Sequence, residues 1–369
     1  MQESTVYFTG LRARSERDNK ISKVARLIDA IGYVGNIAPD DLIAIKIHFG
    51  ERGNDSHIHP KFARVAVDKI RDAHARPFIT DTNTLYKGSR HNTVDHLHTA
   101  LEHGFSFATV AAPLVIADGL RGAFSSNISI NAKHFERVKI AGVIAESDGM
   151  FVMSHFKGHQ ESGFGGAIKN LAMGCATAQG KKEQHAAKFE VDSKLCVACQ
   201  ACLNSCPTNA ISIQKGKAWI DPAICIGCGE CMTVCPTQAI SLNWETELEG
   251  FIERMVEYAL GAVQGKQHKT GYINFLTAIT PDCDCVPWSD TPIVPDIGIA
   301  ASLDPVALDQ ACFDLVNQQQ GFGNSLLQSG HAAGEDKFKG VWSYTKGEHQ
   351  LAYAEKLGLG SRTYRLVEI

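Results

Sequence analysis

Eight cysteines between positions 196 and 235 constrain this chain more than any other feature of its sequence. They form two runs with the same spacing, C-x2-C-x2-C-x3-C, and each run is followed by a proline. In bacterial ferredoxins this pattern holds two [4Fe–4S] clusters, because three thiolates come from one tight turn and the fourth comes from the other run. The sequence therefore predicts a ferredoxin-like module that binds two [4Fe–4S] clusters.

In bacterial two-cluster ferredoxins the last cysteine of each run binds the cluster held by the other run, and this rule assigns each cysteine to a cluster. The first cluster is predicted to take Cys196, Cys199, Cys202 and Cys235. The second cluster is predicted to take Cys225, Cys228, Cys231 and Cys206. A zinc site is disfavoured because zinc usually takes two C-x2-C pairs separated by a longer spacer. A disulfide framework is disfavoured because such frameworks are typical of short secreted chains.

Composition is that of an ordinary soluble globular protein. Hydrophobic residues make up 44% and charged residues 21% of the 369 residues, a length at which two or three domains are expected. The net charge of −4 disfavours nucleic acid binding, and no apolar run reaches the ~18 residues that a membrane span needs. The N-terminus lacks the basic and apolar regions of an export signal, so the twelve cysteines indicate a reducing, cytoplasmic location.

Outside the cysteine runs, apolar segments alternate with amphipathic ones, which predicts an α/β fold with a mostly parallel sheet and helices on both faces. Strands are predicted at 6–8, 42–47, 77–80, 149–153 and 272–279, and helices at 22–31, 60–73, 92–103, 247–261 and 304–316. No linker-like composition separates the flanks of the cysteine runs. Residues 1–187 and 244–369 are therefore predicted to form one discontinuous α/β domain. It is interrupted by a small α+β ferredoxin-like domain at 188–243.

Polar side chains follow several predicted strands, where ligands bind in parallel α/β sheets. As groups that bind an anion or transfer a proton we predict Lys46, His48, Glu51, His155, Lys157 and Lys169. As groups that contact a cofactor or substrate we predict Asn83, His159, Gly165 and Gly166. The two glycines are included because backbone amides near a helix start can bind an anion. The structural alternatives are that Lys46 ends its strand in an ion pair and that Asn83 caps a helix or turn.

Three cysteines outside the two runs form a possible extra metal or thiol site. They are Cys175, Cys283 and Cys285, and the histidines that could join them are His48, His155, His159 and His185. A C-x-C pair can chelate one soft metal ion. The alternative is that buried thiols act as small hydrophobic groups, which is the interpretation favoured for Cys312.

These polar segments resemble a family described only as a domain of unknown function, DUF362. The resemblance rests on residues 46–51, 81–84, 154–182 and 283–285, followed by 296–298 and 304–307. Members of that family often carry an inserted ferredoxin. The resemblance therefore implies iron–sulfur binding and one discontinuous main domain, and it implies no particular substrate.

The combined pattern predicts an iron–sulfur oxidoreductase that passes electrons between the ferredoxin module and an anionic substrate in the α/β crevice. One alternative is an electron carrier or scaffold that docks a redox partner protein without catalysis. Another is a lyase, isomerase or metal-handling protein in which the clusters are structural.

Overall fold

A computed structural model describes residues 3–86, 88–185, 189–225, 230–242 and 248–369. Its α-helices are α1 (Lys20–Ala30), α2 (Pro60–Asp72), α3 (Thr93–Glu102), α4 (Phe107–Val110), α5 (Gly142–Glu146), α6 (Ala167–Cys175), α7 (Ala178–His185), α8 (Ala201–Ser205), α9 (Glu230–Thr233), α10 (Leu248–Val263), α11 (Pro305–Asn317), α12 (Lys337–Val341) and α13 (Gly347–Lys356). Its strands are β1 (Ser4–Gly10), β2 (Leu42–Ile47), β3 (Arg76–Asp81), β4 (Leu114–Ile116), β5 (Ser125–Ser129), β6 (Arg137–Ala141), β7 (Gly149–His155), β8 (Lys157–His159), β9 (Gly163–Gly165), β10 (Phe189–Val191), β11 (Ile211–Gln214), β12 (Lys217–Ile220), β13 (Ile240–Leu242), β14 (Thr270–Leu276), β15 (Gly298–Ser302) and β16 (Tyr364–Glu368). In the described ranges no helix has both the length and the apolar character to cross a membrane.

One eight-stranded sheet has the strand order β16-β1-β15-β14-β7-β2-β3-β4. Strand β15 runs antiparallel to both of its neighbours, and the other adjacent pairs are parallel. The predicted α/β fold with a mostly parallel sheet is therefore confirmed. The strand predicted at 272–279 ends earlier, at Leu276, because the chain turns away at Ala278. Ala278 has a φ of 47°, and its N–H donates to the Asp296 carboxylate at 2.7 Å.

Side chains of β7 alternate between two hydrophobic cores on opposite faces of the sheet. Met150 and Val152 pack in the core that contains apolar residues of α6, α10 and α11, whereas Phe151 and Met153 pack in the core formed with α1 and α2. Every residue of β7 is buried, as expected for a central parallel strand that is covered on both faces. Helices therefore lie on both faces of the sheet, as predicted.

Four parallel strands, β14, β7, β2 and β3, lie side by side in the sheet. Their carboxyl ends, at Leu276, His155, Ile47 and Asp81, therefore meet along one edge. This edge is where open parallel sheets bind ligands. It brings together the predicted site residues that follow β2 and β7.

Residues 189–242 contain two small sheets and a hydrophobic core of their own. Strand β10 pairs with β13, and β11 pairs with β12 in a hairpin whose turn contains Gly216 at a φ of 73°. The core includes Phe189, Ile211 and Ile240, which are buried together with cysteine side chains. The hairpin predicted around Gly216 is confirmed, whereas the division into two domains stays a prediction. Cys228 lies outside the described residues.

Candidate functional site

A cavity opens at the carboxyl edge of the sheet and contains about 980 Å³ of space free of protein atoms, its mouth included. The predicted site residues that line it are His48, His155, Lys157, His159, Gly166, Lys169, Cys283 and Cys285. The predicted site residues that do not line it are Lys46, Glu51, Asn83, Gly165 and Cys175. The structure thus brings histidines, lysines and two thiols from distant parts of the chain into one cavity.

Lys46, at the end of β2, is buried in an ion pair with Asp81 at the end of β3. Its Nζ lies 2.9 Å from Asp81 Oδ1 and donates to Asn170 Oδ1 at 2.7 Å. Although burial alone would raise it, Lys46 holds the pKa of Asp81 below its usual value. A β-carbon on Gly174 of α6 would lie 2.5 Å from Lys46 Nζ, so a glycine is required where the lysine passes. The geometry matches the structural alternative for Lys46, a lysine that ends its strand in an ion pair.

Glu51 is buried behind two residues of the cavity wall, Arg90 and Tyr86. Its carboxylate accepts hydrogen bonds from the Ser89 N–H at 2.6 Å and from Arg90 Nε at 3.2 Å. Arg90 donates to Tyr86 Oη at 2.6 Å, and Tyr86 donates to the backbone carbonyl of Cys285 at 2.8 Å. Glu51 therefore orients the cavity wall without facing the cavity itself.

His48 and His159 are neutral imidazoles in the cavity wall. Burial, followed by nearby cations, lowers the pKa of both rings well below the usual value. His48 Nδ1 accepts the Gly50 N–H at 2.9 Å. His159 Nδ1 accepts the N–H groups of Glu161 and Ser162 at 3.1 and 3.2 Å. The single proton of each neutral ring therefore lies on Nε2.

His155 has hydrogen-bond partners on both ring nitrogens. Nδ1 lies 2.8 and 3.0 Å from the carboxylate oxygens of Asp284, and Nε2 lies 2.8 and 3.0 Å from the carbonyl oxygens of Thr277 and Ala278. Both ring nitrogens therefore face oxygen atoms that can accept a hydrogen bond. Lys157 Nζ lies 3.5 Å from the same carboxylate. Although burial opposes ionisation, His155 and Lys157 hold the pKa of Asp284 well below its usual value.

Cys283 and Cys285, on either side of Asp284, lie side by side in the cavity lining, with their sulfur atoms within 4.8 Å of each other. Lys169 Nζ donates to Cys283 Sγ at 3.4 Å. The hydrogen bond from the Cys285 thiol lowers the pKa of Cys283 well below its usual value and raises the pKa of Cys285. Cys283, the sulfur that Lys169 contacts, is therefore the more acidic thiol of the pair.

Two groups on the cavity wall titrate near neutral pH, where acid–base catalysis is most effective. Burial raises the pKa of Glu161 to about 8, and burial lowers the pKa of Lys181 to about 8. Glu161 Oε2 lies 3.6 Å from His185 Nδ1, and among the described residues its Oε1 has no hydrogen-bond partner. Lys181 Nζ donates to Thr82 Oγ1 at 2.6 Å and to the Ala176 carbonyl oxygen at 2.7 Å.

The helix start at Gly165 and Gly166 is closed by a protein carboxylate. The N–H groups of Ala167 and Ile168 donate to Asp309 at 2.8 and 2.9 Å. A β-carbon on Gly166 would lie 2.3 Å from Asp309 Oδ1, so the glycine allows this close approach. The structure therefore differs from the prediction that these glycines expose amides to an anion, because Asp309 already takes the amides of the first turn.

Asn83 and Cys175 are held by the protein interior. The Asn83 amide donates to Asp118 Oδ1 at 3.0 Å and to the Gly119 carbonyl oxygen at 2.8 Å, which is a structural role. Cys175 lies at the end of α6 in the hydrophobic core, and burial raises the pKa of its thiol to about 11. The structure does not bring Cys175 to Cys283 and Cys285 in the cavity.

The mixed Cys/His group expected from the sequence is present as His159, Cys283 and Cys285. One potential ligand atom from each lies within 4.8 Å of the others. A histidine that binds a metal normally donates its second N–H to an acceptor. His159 Nδ1 instead accepts two backbone N–H groups, so the only ring proton lies on Nε2. This hydrogen bonding fits a donor to a thiolate better than a metal ligand.

Four cysteines of the 189–242 segment converge on a second, smaller cavity. They are Cys196, Cys199, Cys202 and Cys235. The Ala218 N–H donates to Cys196 Sγ at 3.4 Å, and the Ala239 N–H donates to Cys235 Sγ at 3.2 Å. In the other predicted set, the Ala210 N–H donates to Cys206 Sγ at 3.2 Å. Thiolates that accept backbone N–H groups are typical of iron–sulfur ligands.

Sequence reasoning missed Asp81, Glu161, Lys181 and Asp284 as individual site residues. Asp81 ends β3, and Lys46 is the last residue but one of β2, so a polar residue near a strand end was a usable signal. Asp284 lies between two candidate cysteines, but only the fold brings it to His155. Glu161 and Lys181 carry no periodic or motif signal, because their pKa values depend on burial by residues far away in the sequence.

Comparison with known proteins identifies the family. The family model described as "Domain of unknown function (DUF362)" matches residues 43–314, so the chain belongs to this family. No curated protein matches the chain. The lactate racemase apoprotein from Thermoanaerobacterium thermosaccharolyticum is 9% identical over 99% of this chain and 83% of that chain, with a TM-score of 0.44. A Thermotoga maritima protein is 8% identical over 79% of this chain and 57% of that chain, with a TM-score of 0.37.

Replacing Gly174 with Ala is expected to destabilise the protein although alanine favours helices. The new β-carbon would displace Lys46 from Asp81, and disturbing a buried ion pair is expected to cost about 2 kcal/mol or more. Gly250→Ala in α10 is the matched control, because its β-carbon would meet only the end of the Arg254 side chain. That variant is expected to gain up to about 1 kcal/mol. Chemical denaturation measures both, and equal effects would contradict the packing role of Gly174.

Stability is expected to fall between about pH 5 and pH 8 through Glu161. Its pKa is raised from 4.5 to about 8, so the folded state keeps a proton that the unfolded state has lost over this range. Stability therefore decreases as pH rises, by a total on the order of 4 kcal/mol. Glu161→Gln is expected to flatten the plot of unfolding free energy against pH, whereas Glu348→Gln, at an exposed site, is not. Parallel plots for wild type and Glu161→Gln would rule out the raised pKa.

Proposed function

We propose that this member of the DUF362 family is an iron–sulfur oxidoreductase. Two [4Fe–4S] clusters bound by residues 189–242 would exchange single electrons with an anionic small molecule in the cavity at the carboxyl edge of the sheet. The observation that carries the proposal is that Cys196, Cys199, Cys202 and Cys235 line one cavity, because this crossed set is the one that the spacing assigns to the first cluster.

The backbone around the first cysteine run supports a cluster ligand loop. Ala198 and Gln200 adopt left-handed conformations, with φ of 54° and 66°. Each carries a β-carbon, so each costs about 1 kcal/mol or more. The sequence of the second run has glycines at the equivalent positions, 227 and 229, and glycine is a residue type that carries no such cost. A bound cluster would offset the backbone strain at Ala198 and Gln200, because the loop must direct three thiolates to one point.

The first cluster would be the entry point for electrons from a redox partner. Cys199 is exposed, and beside it Leu195 and Val197 are 49% and 64% exposed. Large apolar side chains grouped at a surface are typical of a protein interaction site. A redox partner protein could therefore dock where one cluster ligand reaches the surface.

The second cluster would face the main cavity. Glu230 lies in α9, which also contains a predicted ligand of the second cluster, Cys231. Burial, followed by the charge of Glu51, raises the pKa of Glu230 to about 7. Glu51 is bonded to Arg90 in the cavity wall. The electrostatic interaction between Glu230 and Glu51 supports a path from the second cluster towards the cavity.

The charges around the cavity favour an anionic ligand. Lys46, Arg90 and Lys169 are each matched by a negative partner, namely Asp81, Glu51 and the Cys283 thiolate. His155 and Lys157, in contrast, share the single carboxylate of Asp284. Lys181 has no carboxylate within ion-pair distance in the part of the chain that is described. A carboxylate or phosphate group of a substrate would supply the missing negative charge.

The protein would also supply protons at the substrate. Clusters transfer electrons only, so reduction of an organic molecule needs proton donors nearby. Glu161 and Lys181 line the cavity with pKa values of about 8, and both can therefore hold a proton at neutral pH and release it. His48 and His159 present Nε2–H groups that can donate hydrogen bonds.

The free thiols, which form no disulfide among the described cysteines, suit a reducing compartment such as the cytoplasm.

Anaerobically purified protein is expected to contain about eight iron and eight sulfide ions per chain. Cys235→Ala is expected to lose the first cluster and Cys206→Ala the second, so each retains about four irons and gives the EPR signal of a single cluster when reduced. Cys312→Ala is the control, because Cys312 is buried in α11 away from both cysteine runs. Wild-type iron content well below eight, or full iron content in both ligand variants, would refute the cluster assignment.

Ligand binding separates the enzyme from a plain electron carrier. Inorganic phosphate or small dicarboxylates are expected to raise the melting temperature of the holoprotein, because a ligand at about 100 times its Kd stabilises by about 2.7 kcal/mol. Lys181→Met is expected to abolish this shift and to keep both clusters, whereas Lys339→Met, at an exposed site that does not line the cavity, is expected to retain it. If no anion of the series stabilises the wild type, the carrier alternative is favoured.

A further inference from the structure

We propose that Cys283 and Cys285 form a redox-active dithiol that stores two electrons beside the bound substrate, alternating between a thiolate–thiol pair and an intramolecular disulfide. The proposal deepens the proposed function and rests on it for the source of the electrons. Neither cysteine is a predicted cluster ligand. An experiment can therefore contradict the dithiol proposal while both clusters remain intact.

The two sulfur atoms lie within 4.8 Å of each other, and both side chains line the cavity. The Val286 N–H donates to the Cys283 carbonyl oxygen at 3.1 Å, so the backbone between the cysteines is folded into a turn. A disulfide needs its two α-carbons within about 7 Å, which residues two apart in a turn satisfy.

Hydrogen bonds of Asp284 to the protein interior hold this turn in place. Its carboxylate is bonded to His155 at 2.8 Å and accepts the Ser56 hydroxyl at 3.1 Å, and its carbonyl oxygen accepts the Glu51 N–H at 2.9 Å. The middle residue of the Cys-Asp-Cys segment is thus anchored in the interior while both thiols face the cavity. Such anchoring presents the pair to a ligand without letting the segment move away.

The surroundings supply donors to sulfur. Lys169 Nζ donates to Cys283 at 3.4 Å, and His159, with its proton on Nε2, has a ring nitrogen within 4.8 Å of both sulfurs. Donors of this kind stabilise a thiolate and so favour the reduced form of the pair. A metal ion would instead require a free lone pair on His159, which the two N–H groups on Nδ1 disfavour.

The redox step balances with the clusters as one-electron donors. The disulfide accepts two electrons and one proton, the S–S bond breaks, and Cys283 thiolate and Cys285 thiol result. The two electrons arrive one at a time, and each passes from the first to the second [4Fe–4S] cluster of the proposed module. In the reverse step the pair gives two electrons and one proton to the substrate and closes again to the disulfide. One-electron carriers would in this way serve a two-electron reaction.

The test measures the thiols directly. Holoprotein is equilibrated anaerobically in thiol–disulfide buffers of graded potential, quenched with an alkylating reagent, and digested for mass spectrometry. The peptide that contains Cys283 and Cys285 is expected to change from doubly alkylated to unalkylated and lighter by two hydrogens as the buffer becomes oxidising. The peptides of Cys175 and Cys312 are internal controls that are expected to stay thiols, since these two side chains lie outside the cavity lining.

Lys169→Met separates a tuned redox pair from two neighbouring cysteines. Without the ammonium group, the dithiol form loses a stabilising donor, so the equilibrium is expected to shift about tenfold towards the disulfide, or about 30 mV towards more negative potential. Lys339→Met is expected to leave the midpoint potential unchanged. An unchanged potential in Lys169→Met would overturn the role assigned to Lys169 in the pair.

Other outcomes are equally decisive. Full alkylation of both cysteines at every potential would overturn the dithiol, and an iron count that stays at about eight would leave the proposed function standing. A stoichiometric zinc or other soft metal ion that is lost in Cys283→Ser would also overturn it, in favour of a metal site. A low iron and sulfide count in the wild type would contradict the proposed function itself.

Discussion

The candidate site depends on the buried ion pair between Lys46 and Asp81. The pair joins the ends of two adjacent strands and reaches α6 through Asn170, at a point that only a glycine at position 174 leaves open. Asp81 also lies 3.6 Å from Arg90, which continues the network to Glu51 and Tyr86. Separating the pair would leave a buried charge without a partner, which is strongly destabilising. The pair therefore fixes the positions of the two strand ends around which the cavity groups are arranged.

Local spacing made the convergence of cysteines on one small cavity, and the sheet, predictable from the sequence. Cys196, Cys199 and Cys202 lie within one turn, so their convergence follows from short-range geometry. The apolar run at 42–47 specifies a buried strand by itself, and the polar residues after β2 and β7 meet because parallel strands share a carboxyl edge. The convergence of His48, His155 and Lys157 could therefore be predicted without knowledge of the helices.

Contacts between residues that are distant in the sequence determine the features of the site that could not be predicted. Gly165 and Gly166 gave every local sign of an anion-binding helix start, but Asp309, 142 residues away from Ala167, takes those amides. Glu161 and Lys181 acquire pKa values of about 8 only because other segments bury them. Asn83 was predicted to contact a ligand, and its hydrogen bond to Asp118 could not be foreseen because Asp118 is also distant in the sequence. Burial and pairing across the fold are properties that no short motif reports.

The strand order has a consequence for how the protein matures. The last strand, β16, pairs with the first, β1, and central β7 pairs with β14, which follows the cysteine segment in the chain. During synthesis the cysteine segment therefore leaves the ribosome before the sheet, and before the Cys283–Cys285 wall of the cavity, can be completed. Pairings between such distant segments close slowly. The cysteine segment, which has a small hydrophobic core of its own, can therefore fold as a unit before the remaining strands complete the sheet.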